Sequence, residues 1–192
     1  MRRAAGQLVA IGTSAGGPGA LAKILGGLVP PFPAAIVIVQ HGDEKLAAGM
    51  AEWLALHSGL PIRLAAEGER PEAGTVLIAG TSEHLFMRPG ARLGYTPDPR
   101  AAIHRPSVDV LFESISRVWR GDAIGVLLTG MGRDGAVGLK ALRDAGHHTI
   151  AQDQATSAVY GMPKAAAALQ AAVDILPLEG IAARLMRLVA YR

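Results

Sequence analysis

The chain of 192 residues contains no cysteine, few aromatic residues and no long apolar run. The lack of cysteine excludes disulfides, thiolate metal sites and a cysteine nucleophile. Aromatic residues make up 4% of the chain, and no basic run is interleaved with them, so the sequence offers no surface for binding nucleic acid. No segment approaches the roughly 20 apolar residues that a membrane helix needs, so membrane insertion is not expected.

The remaining composition is that of one compact domain. Half of the residues are hydrophobic, 18% are charged and the net charge is +3, so a sizeable core is available and no strongly basic field is present. Met1-Arg2-Arg3 has the positive start of a signal peptide. The apolar stretch that follows is broken by glycines and Ser14, and it is better explained as a first strand. We therefore expect a cytoplasmic protein.

Short apolar runs rich in valine and isoleucine alternate with segments of helical periodicity. This alternation predicts the α/β class, with a single doubly wound, mostly parallel sheet and helices on both faces. Between residues 67 and 102, short strands with many glycines and prolines predict an antiparallel edge hairpin, with 91–95 as one arm. The predicted strands cover 8–11, 35–39, 75–79, 124–129, 149–151 and 172–176, and the helices 18–28, 46–57, 106–119, 134–145, 163–171 and 181–189.

The first predicted strand runs directly into Gly12-Thr13-Ser14-Ala15-Gly16, and Gly17 and Pro18 then open a helix. A strand, a sharp turn and a helix are what a nucleophile elbow needs, because the serine hydroxyl then projects beside a helix N-terminus. A plain glycine-rich turn and a phosphate-binding loop are the alternatives. The segment lacks both the Gly-Lys-Ser/Thr of a P-loop and the spacing G-x-G-x-x-G.

Three predicted strands end in residues that could perform acyl transfer. Ser14 follows the first strand, His41 the second, and Asp134 lies in the segment after the strand 124–129. The carboxyl ends of parallel strands share one edge of the sheet, so a hydroxyl, an imidazole and a carboxylate would meet there. Taken singly, His41 could end a strand and Asp134 could cap a helix. The order Ser, His, Asp differs from that of α/β-hydrolases.

The other histidines form no pattern of metal ligands. His147 and His148 are adjacent before a strand and would point to opposite faces, while His57 lies late in a helix. His84 and His104 fall in predicted loops. No spacing of histidine and carboxylate residues resembles a zinc site, so no metal is predicted.

Several segments together resemble one family. They occur in the same order over residues 8 to about 175. The chain resembles the catalytic domain of CheB, the chemotaxis response-regulator protein-glutamate methylesterase. The segments are Ile11-Gly-Thr-Ser-Ala-Gly-Gly17, Val39-Gln-His41, His104-Arg-Pro-Ser-Val-Asp-Val-Leu-Phe112, Leu128-Thr-Gly-Met-Gly-Arg-Asp-Gly135 and Ile150-Ala-Gln-Asp with Tyr160-Gly-Met-Pro163.

The resemblance implies a serine hydrolase in which Ser14 is the nucleophile, His41 the general base and Asp134 the residue that orients His41. It implies that the loop from Gly130 to Gly132, through the Met131 amide, helps to hold the oxyanion, and that the Ala15 N–H is a second donor. We expect His104 and Met131 at the rim of the cleft. The family removes methyl esters from glutamate side chains of methyl-accepting chemoreceptors, releasing methanol, and many members also deamidate receptor glutamines. No cofactor is implied, and the partner is the cytoplasmic helices of the receptor.

Three departures from the family pattern carry further expectations. Ala15 stands where threonine is common, and Gly42-Asp-Glu-Lys45 replaces the usual Met-Pro after His41, which looks more like members from surface-sensing (Wsp-type) pathways. Only about seven residues precede the first predicted strand, too few for the receiver domain of full family members. Residues 1–192 are therefore expected to be the catalytic domain, either as a piece of a longer protein with a receiver domain or as a stand-alone enzyme. Two rival functions are a nucleotide-binding module that uses Gly12–Gly17 and a catalytically silent domain that docks on receptors.

Overall fold

The computed structural model describes residues 6–190, and the basic start at residues 1–3 lies outside this range. Nine strands and six helices are present among the described residues. The strands are β1 (Gln7–Thr13), β2 (Ala34–Gln40), β3 (Ile62–Leu64), β4 (Val76–Ile78), β5 (His84–Arg88), β6 (Arg92–Thr96), β7 (Ala123–Leu127), β8 (His148–Gln152) and β9 (Asp174–Leu176). The helices are α1 (Gly17–Gly26), α2 (Glu44–Ala55), α3 (Val108–Val118), α4 (Ala136–Asp144), α5 (Met162–Ala168) and α6 (Leu178–Ala190).

Seven strands form one sheet in the order β3-β4-β2-β1-β7-β8-β9, and all neighbouring pairs are parallel. The central strands are apolar at nearly every position because helices cover both faces of the sheet. One core cluster contains residues of α1, α2 and α6, and the other contains residues of α3, α4 and α5. The predicted α/β class and doubly wound sheet are confirmed.

The order of the strands reverses at β1. From β1 the chain passes to β2 on one side, and after β6 it returns to β7 on the other side. Ligand sites of doubly wound sheets lie outside the carboxyl ends of the strands at this switch point. The segments that follow β1, β2 and β7 therefore share one edge of the sheet, and they carry the three side chains singled out above.

The predicted antiparallel hairpin is present, formed by β5 and β6, and it makes a two-stranded sheet of its own. Ala91, expected at the start of an arm, instead lies in the turn with a φ of 61°. The hairpin buries Leu85, Met87 and Leu93 in the same cluster as α3, and the Met87 amide donates to Ser114 Oγ at 2.8 Å. The hairpin therefore covers α3 and does not extend the parallel sheet.

Several element boundaries differ from the predictions for identifiable reasons. Helix α2 begins at Glu44, because the Asp43 carboxylate accepts a hydrogen bond from the Lys45 amide and caps the helix. Helix α3 begins at Val108 with Ser107 as its cap, two residues after the predicted start. Strand β3 was not predicted, since its three residues form too short an apolar pattern. No helix within residues 6–190 is long and apolar enough to cross a membrane.

Candidate active site

Ser14 lies in the turn between β1 and α1, at the carboxyl edge of the sheet. The Ser14 amide donates to the Thr129 carbonyl at 3.0 Å, and the Gly17 amide donates to the Ser14 carbonyl at 2.8 Å. Gly16 has a φ of 80°, a conformation that other residues rarely adopt, and it forms the N-cap of α1. The chain thus turns sharply at Ser14, in the strand-turn-helix context that an exposed nucleophile requires.

The loop after β7 passes directly beside Ser14. A Cβ atom at Gly130 would lie 2.8 Å from the Ser14 Cβ and would also collide with the Met162 sulfur. Glycine is therefore required at this position. The loop is held in place because the Gly130 amide donates to the Val159 carbonyl at 3.0 Å and the Met162 amide donates to the Gly130 carbonyl at 2.9 Å.

A buried polar network fixes the Ser14 turn to this loop. Thr13 Oγ1 donates to the Thr129 carbonyl at 2.8 Å, and Thr129 Oγ1 donates to the Ala15 carbonyl at 2.9 Å. Gln152 Oε1 in turn accepts the Thr129 amide at 2.8 Å. Because buried polar groups that are fully satisfied specify one geometry, the backbone around Ser14 is held rigidly on both sides.

The His41 imidazole is bound to Asp134, with 2.6 Å between Nε2 and Oδ2, and both side chains are more than 90% buried. An ionised carboxylate only accepts hydrogen bonds, so the proton of the neutral imidazole is on Nε2 and the lone pair is on Nδ1. Nδ1 is buried and has no hydrogen-bond partner among residues 6–190. The atom available as a base is therefore Nδ1.

Ser14 and His41 are neighbours, because Gln40 Nε2 donates to the carbonyls of both residues at 2.9 Å. The expected hydrogen bond between the Ser14 hydroxyl and His41 is not formed among the described residues. Catalytic hydrogen bonds are often long without substrate and tighten only in the substrate complex. The two residues therefore lie at the same edge of the sheet, and His41 Nδ1 keeps an unshared lone pair.

Asp134 caps a helix, although not the helix it precedes. Its carboxylate accepts hydrogen bonds from the α3 amides of Val108 at 2.7 Å and Asp109 at 3.0 Å, and from Ser107 Oγ at 2.8 Å. Burial alone would raise the pKa of Asp134, but the His41 bond and these backbone donors outweigh burial and lower the pKa to about 2. Asp134 is therefore ionised at neutral pH and keeps His41 in one tautomer.

Asp109 makes the reciprocal contact. Its carboxylate accepts the amides of Gly135 at 3.0 Å and Gly138 at 2.7 Å, so the starts of α3 and α4 each bind a carboxylate from the other segment. Burial raises the pKa of Asp109 to about 6, and the nearby charge of Asp134 acts in the same direction. The pair fixes the position of Asp134 through both helices.

His104 stacks face to face on His41, with ring centroids 4.0 Å apart and planes 6° from parallel. Partial burial lowers the pKa of His104, and the positive charge that His41 can carry lowers it further. A Cβ at Gly132 would lie 3.8 Å from His104 Nε2, so this ring also adjoins the loop after β7. Met131 in the same loop is 67% exposed. Both residues lie around the cleft, outside the group of Ser14, His41 and Asp134.

Two backbone amides near Ser14 are candidate oxyanion donors. Neither the Ala15 amide nor the Met131 amide donates a hydrogen bond to any residue within 6–190. Ala15 follows Ser14 directly, and Met131 follows Gly130, which touches Ser14. These donors fit the requirement of an oxyanion hole, which stabilises charge as it develops on a tetrahedral intermediate.

A groove of about 310 Å³ adjoins His41. Its lining is mostly apolar and includes Leu46, Met50 and Trp53 of α2. Leu46 is 70% exposed and Trp53 is 40% exposed. The groove therefore offers apolar surface beside the imidazole.

The remaining histidines are elsewhere and have structural partners. His84 lies in β5, not in a loop, and its Nδ1 accepts the Ser107 amide at 3.0 Å. His57 Nδ1 contacts the Trp53 carbonyl, His147 Nδ1 accepts the Ala123 amide, and His148 binds Asp174.

Sequence reasoning missed Asp109, Ser107 and Gln40. Ser107-Val-Asp109 before an apolar run is a typical helix start, and this signal could have pointed to Asp109. Their contacts join segments about 25 residues apart, as between Asp109 and Gly135.

Comparisons with known proteins identify the family of this chain. Residues 9–185 match the model of the family described as CheB methylesterase. A Cupriavidus pinatubonensis protein named protein-glutamate methylesterase/protein-glutamine glutaminase 1 is 65% identical over 184 residues, covering 96% of this chain and 54% of the relative. A Pseudomonas putida protein with the same activity name, of the group 3 operon, is 63% identical over 183 residues, covering 95% and 54%. The chain thus spans about half the length of these curated relatives.

A solved structure matches over nearly its whole length. The crystal structure of the Thermotoga maritima CheB methylesterase catalytic domain has a TM-score of 0.91 and 34% sequence identity, and the match covers 96% of this chain and 99% of that one. A doubly wound sheet with a serine turn, an imidazole and a carboxylate at its switch point is typical of the serine hydrolase class. Within that class, the chain belongs to the CheB methylesterase family.

Proposed function

We propose that this chain hydrolyses the methyl esters of glutamate side chains on methyl-accepting chemoreceptors and also deamidates receptor glutamines. The single observation that carries the proposal is the 2.6 Å bond from Asp134 to His41 Nε2, which leaves Nδ1 as a base beside the Ser14 turn. The names of the relatives, protein-glutamate methylesterase/protein-glutamine glutaminase, support both reactions.

In the first half of the proposed reaction, Ser14 Oγ attacks the ester carbonyl carbon and its proton passes to His41 Nδ1. The carbonyl π electrons move to oxygen, and the Ala15 and Met131 amides stabilise the oxyanion. Asp134 stabilises the imidazolium without taking a proton. The C–O bond to the methoxy group then breaks, His41 returns its proton to that oxygen, and methanol leaves an acyl-enzyme on Ser14.

In the second half, water attacks the acyl carbon and gives a proton to His41. The bond to Ser14 Oγ breaks, the hydroxyl recovers its proton from His41, and the glutamate side chain is released as a carboxylic acid, which loses its remaining proton to solvent. An amide substrate follows the same steps with ammonia as the leaving group, so one site serves both reactions. Each step uses only groups of this chain and water.

The proposed partners and location follow from the activity. The substrate is a side chain on the cytoplasmic helices of a chemoreceptor, and residues 1–192 act as the catalytic domain of a longer protein with a receiver domain. The enzyme would then work in the cytoplasm. Assignment to a surface-sensing (Wsp-type) pathway stays a prediction.

The rival functions have less support. In the nucleotide-binding alternative, the segment Gly12–Gly17 would cradle phosphate with its amides, yet the Gly17 amide is bonded to the Ser14 carbonyl and Pro18 has no amide hydrogen. A silent docking domain would not need an oriented imidazole with a buried, unpartnered Nδ1.

The test is incubation with a methylated chemoreceptor fragment while methanol release is measured. Wild-type protein should release methanol, and S14A should lose at least about 10⁴-fold in turnover, as expected when a triad nucleophile is removed. S157A is a matched control, because the Ser157 hydroxyl binds only the Asp153 carbonyl in the loop after β8. No release by the wild type, or equal release by S14A, would refute the proposal.

A further inference from the structure

One glutamine side chain joins the nucleophile turn to the proposed base. Gln40 ends β2, directly before His41. Its side-chain nitrogen donates to the Ser14 carbonyl and to the His41 carbonyl, each at 2.9 Å. Both hydrogens of the amide group are thereby used, one on each of the two residues that must exchange a proton.

The orientation of the amide follows from these contacts. Both partners of Gln40 Nε2 are carbonyl oxygens, which accept but cannot donate, so the oxygen of the amide cannot occupy this position. Gln40 Oε1 instead lies over Gly17, where a Cβ atom would collide with it, and it is buried without a hydrogen-bond partner in the described part of the chain. Leaving a buried acceptor unpaired costs free energy. The two hydrogen bonds from Nε2 to the site offset the cost of this unpaired oxygen.

Fixing the Ser14 and His41 carbonyls also restricts the positions of the two reacting atoms, Ser14 Oγ and His41 Nδ1. Ser14 Oγ is two bonds from its Cα, and His41 Nδ1 is three bonds from its Cα. The more usual base nitrogen, Nε2, is one bond further and here is occupied by Asp134. Because Nδ1 is so near the backbone, a shift of the His41 carbonyl moves the base with little compensation from side-chain rotation.

We propose that Gln40 is a positioning residue that sets the distance between Ser14 Oγ and His41 Nδ1 by holding both backbones with one amide. In this role, Gln40 contacts neither the scissile bond of the substrate nor the proton that passes from Ser14 to His41. This inference concerns the site of the proposed function and rests on it. A displacement of about 1 Å at reacting atoms can cost about 100-fold in rate, so loss of the amide should reduce turnover strongly.

The test uses the full chain with Q40M, which keeps length and removes both donors, and Q40E, which keeps shape and replaces the donors by a carboxylate at neutral pH. Reactivity of Ser14 is measured as its rate of phosphonylation by a small fluorophosphonate ester, so no receptor is needed. Q7E is the matched control. Gln7 is a half-buried glutamine at the first position of β1, at the opposite end of that strand from Ser14, and its amide donates to the Val189 carbonyl.

At pH 8, Q40M and Q40E should label roughly 10- to 100-fold more slowly than wild type, and Q7E at the wild-type rate. The Q40E rate relative to wild type should rise as pH falls, because the protonated carboxyl regains one donor, while the Q40M ratio stays flat. A residue that only stabilises the fold would lower the melting temperature without this pH-dependent rescue.

Labelling of Q40M at the wild-type rate, or a flat Q40E ratio, would overturn the inference. If Q40M fails to fold, the pH dependence of Q40E still decides. The two proposals also fail separately. If wild-type protein is labelled at Ser14 but releases no methanol, the proposed function is refuted, and the labelling rates of the variants still test the role of Gln40. If wild-type protein is not labelled at all, both proposals are overturned.

Discussion

The starts of α1 and α3 both point to the candidate site, yet they differ in what occupies them. The first turn of α1 has no acidic residue and no side-chain cap. The first turn of α3 is filled, with Ser107 as its cap, Asp109 in the turn and the Asp134 carboxylate on its amides. A helix N-terminus favours negative charge, so both helix starts could bind an anion. Of these two, only the start of α3 binds a carboxylate among the described residues.

The difference suits a reaction in which negative charge appears only briefly. The amides at the start of α3 bind the Asp134 carboxylate and keep it ionised. The ionised carboxylate in turn orients His41. The α1 end remains open beside Ser14, where an oxyanion would develop, and a site that binds transient charge gains most if no resident anion competes. Four variants test this difference between the two helix starts.

Removing the charge at α3 should have the largest effect. D134N should reduce turnover by roughly 10²–10⁴-fold, because the amide can present a donor where His41 needs an acceptor. All four groups bound to Asp134 are donors, so asparagine leaves at least one of them opposed and the melting temperature should fall as well. Methanol release and thermal unfolding measure the two effects.

The control for this variant is D144N, since Asp144 pairs with Lys140 on the exposed surface of α4 and such pairs contribute little. D144N should resemble wild type in both assays. Near wild-type turnover in D134N would remove Asp134 from the proposed mechanism.

A milder change removes the His104 ring, which stacks on the face of His41. H104A should lower turnover by roughly tenfold or less, the range expected for one aromatic stack of about 0.5–1.5 kcal/mol. The measurement is kcat for methanol release, compared with H41A, which should lose far more. Equal losses in the two variants would mean that His104 is the base.

Placing a charge at the open α1 end should produce a smaller loss. Gly19 is exposed in the first turn of α1, and a side chain there meets open space. G19D should lower turnover roughly 2- to 5-fold relative to G19N, because a helix-end charge contributes about 0.3–1 kcal/mol and would oppose the oxyanion. The ratio should shrink at high salt. Equal turnover of G19D and G19N would show that the α1 start does not interact with the developing negative charge.

The smallest effect on turnover is expected at Asp109. Its folded pKa of about 6 exceeds its ordinary value of 3.8, so the ionised form destabilises the fold, and stability falls as pH rises between these values. D109N keeps an oxygen for Gly135 and Gly138 and removes the charge. Its melting temperature relative to wild type should increase from pH 4 to pH 8. A constant difference across this range would contradict the raised pKa.

Much of the site could be predicted from sequence because it lies where strands end. Ser14 and His41 each follow an apolar run directly, so their common edge follows from the parallel topology alone. The role of Asp134 was harder to predict. Its position before α4 suggested a cap of that helix, but the cap of α4 is Gly135, and the carboxylate turns to α3.

The contacts that could not be predicted depend on packing. The pairing of Asp109 with Gly135 requires α3 and α4 to lie side by side, and no local pattern encodes that arrangement. In the sequence, Gln40 is only a polar residue at the end of an apolar strand, and its role depends on the folded chain placing the Ser14 turn beside it. The hairpin was predicted, but its place on α3 follows from the apolar face that α3 leaves uncovered.

The exchange of carboxylates between α3 and α4 has a consequence for local opening. Neither Asp134 nor Asp109 keeps its partners if one helix separates from the other, so the two helix starts should open together as one cooperative unit. The amides of Val108, Asp109, Gly135 and Gly138 would then exchange with solvent deuterium at a common rate, and the same opening event would release His41. The lifetime of the catalytic geometry would be the lifetime of that unit.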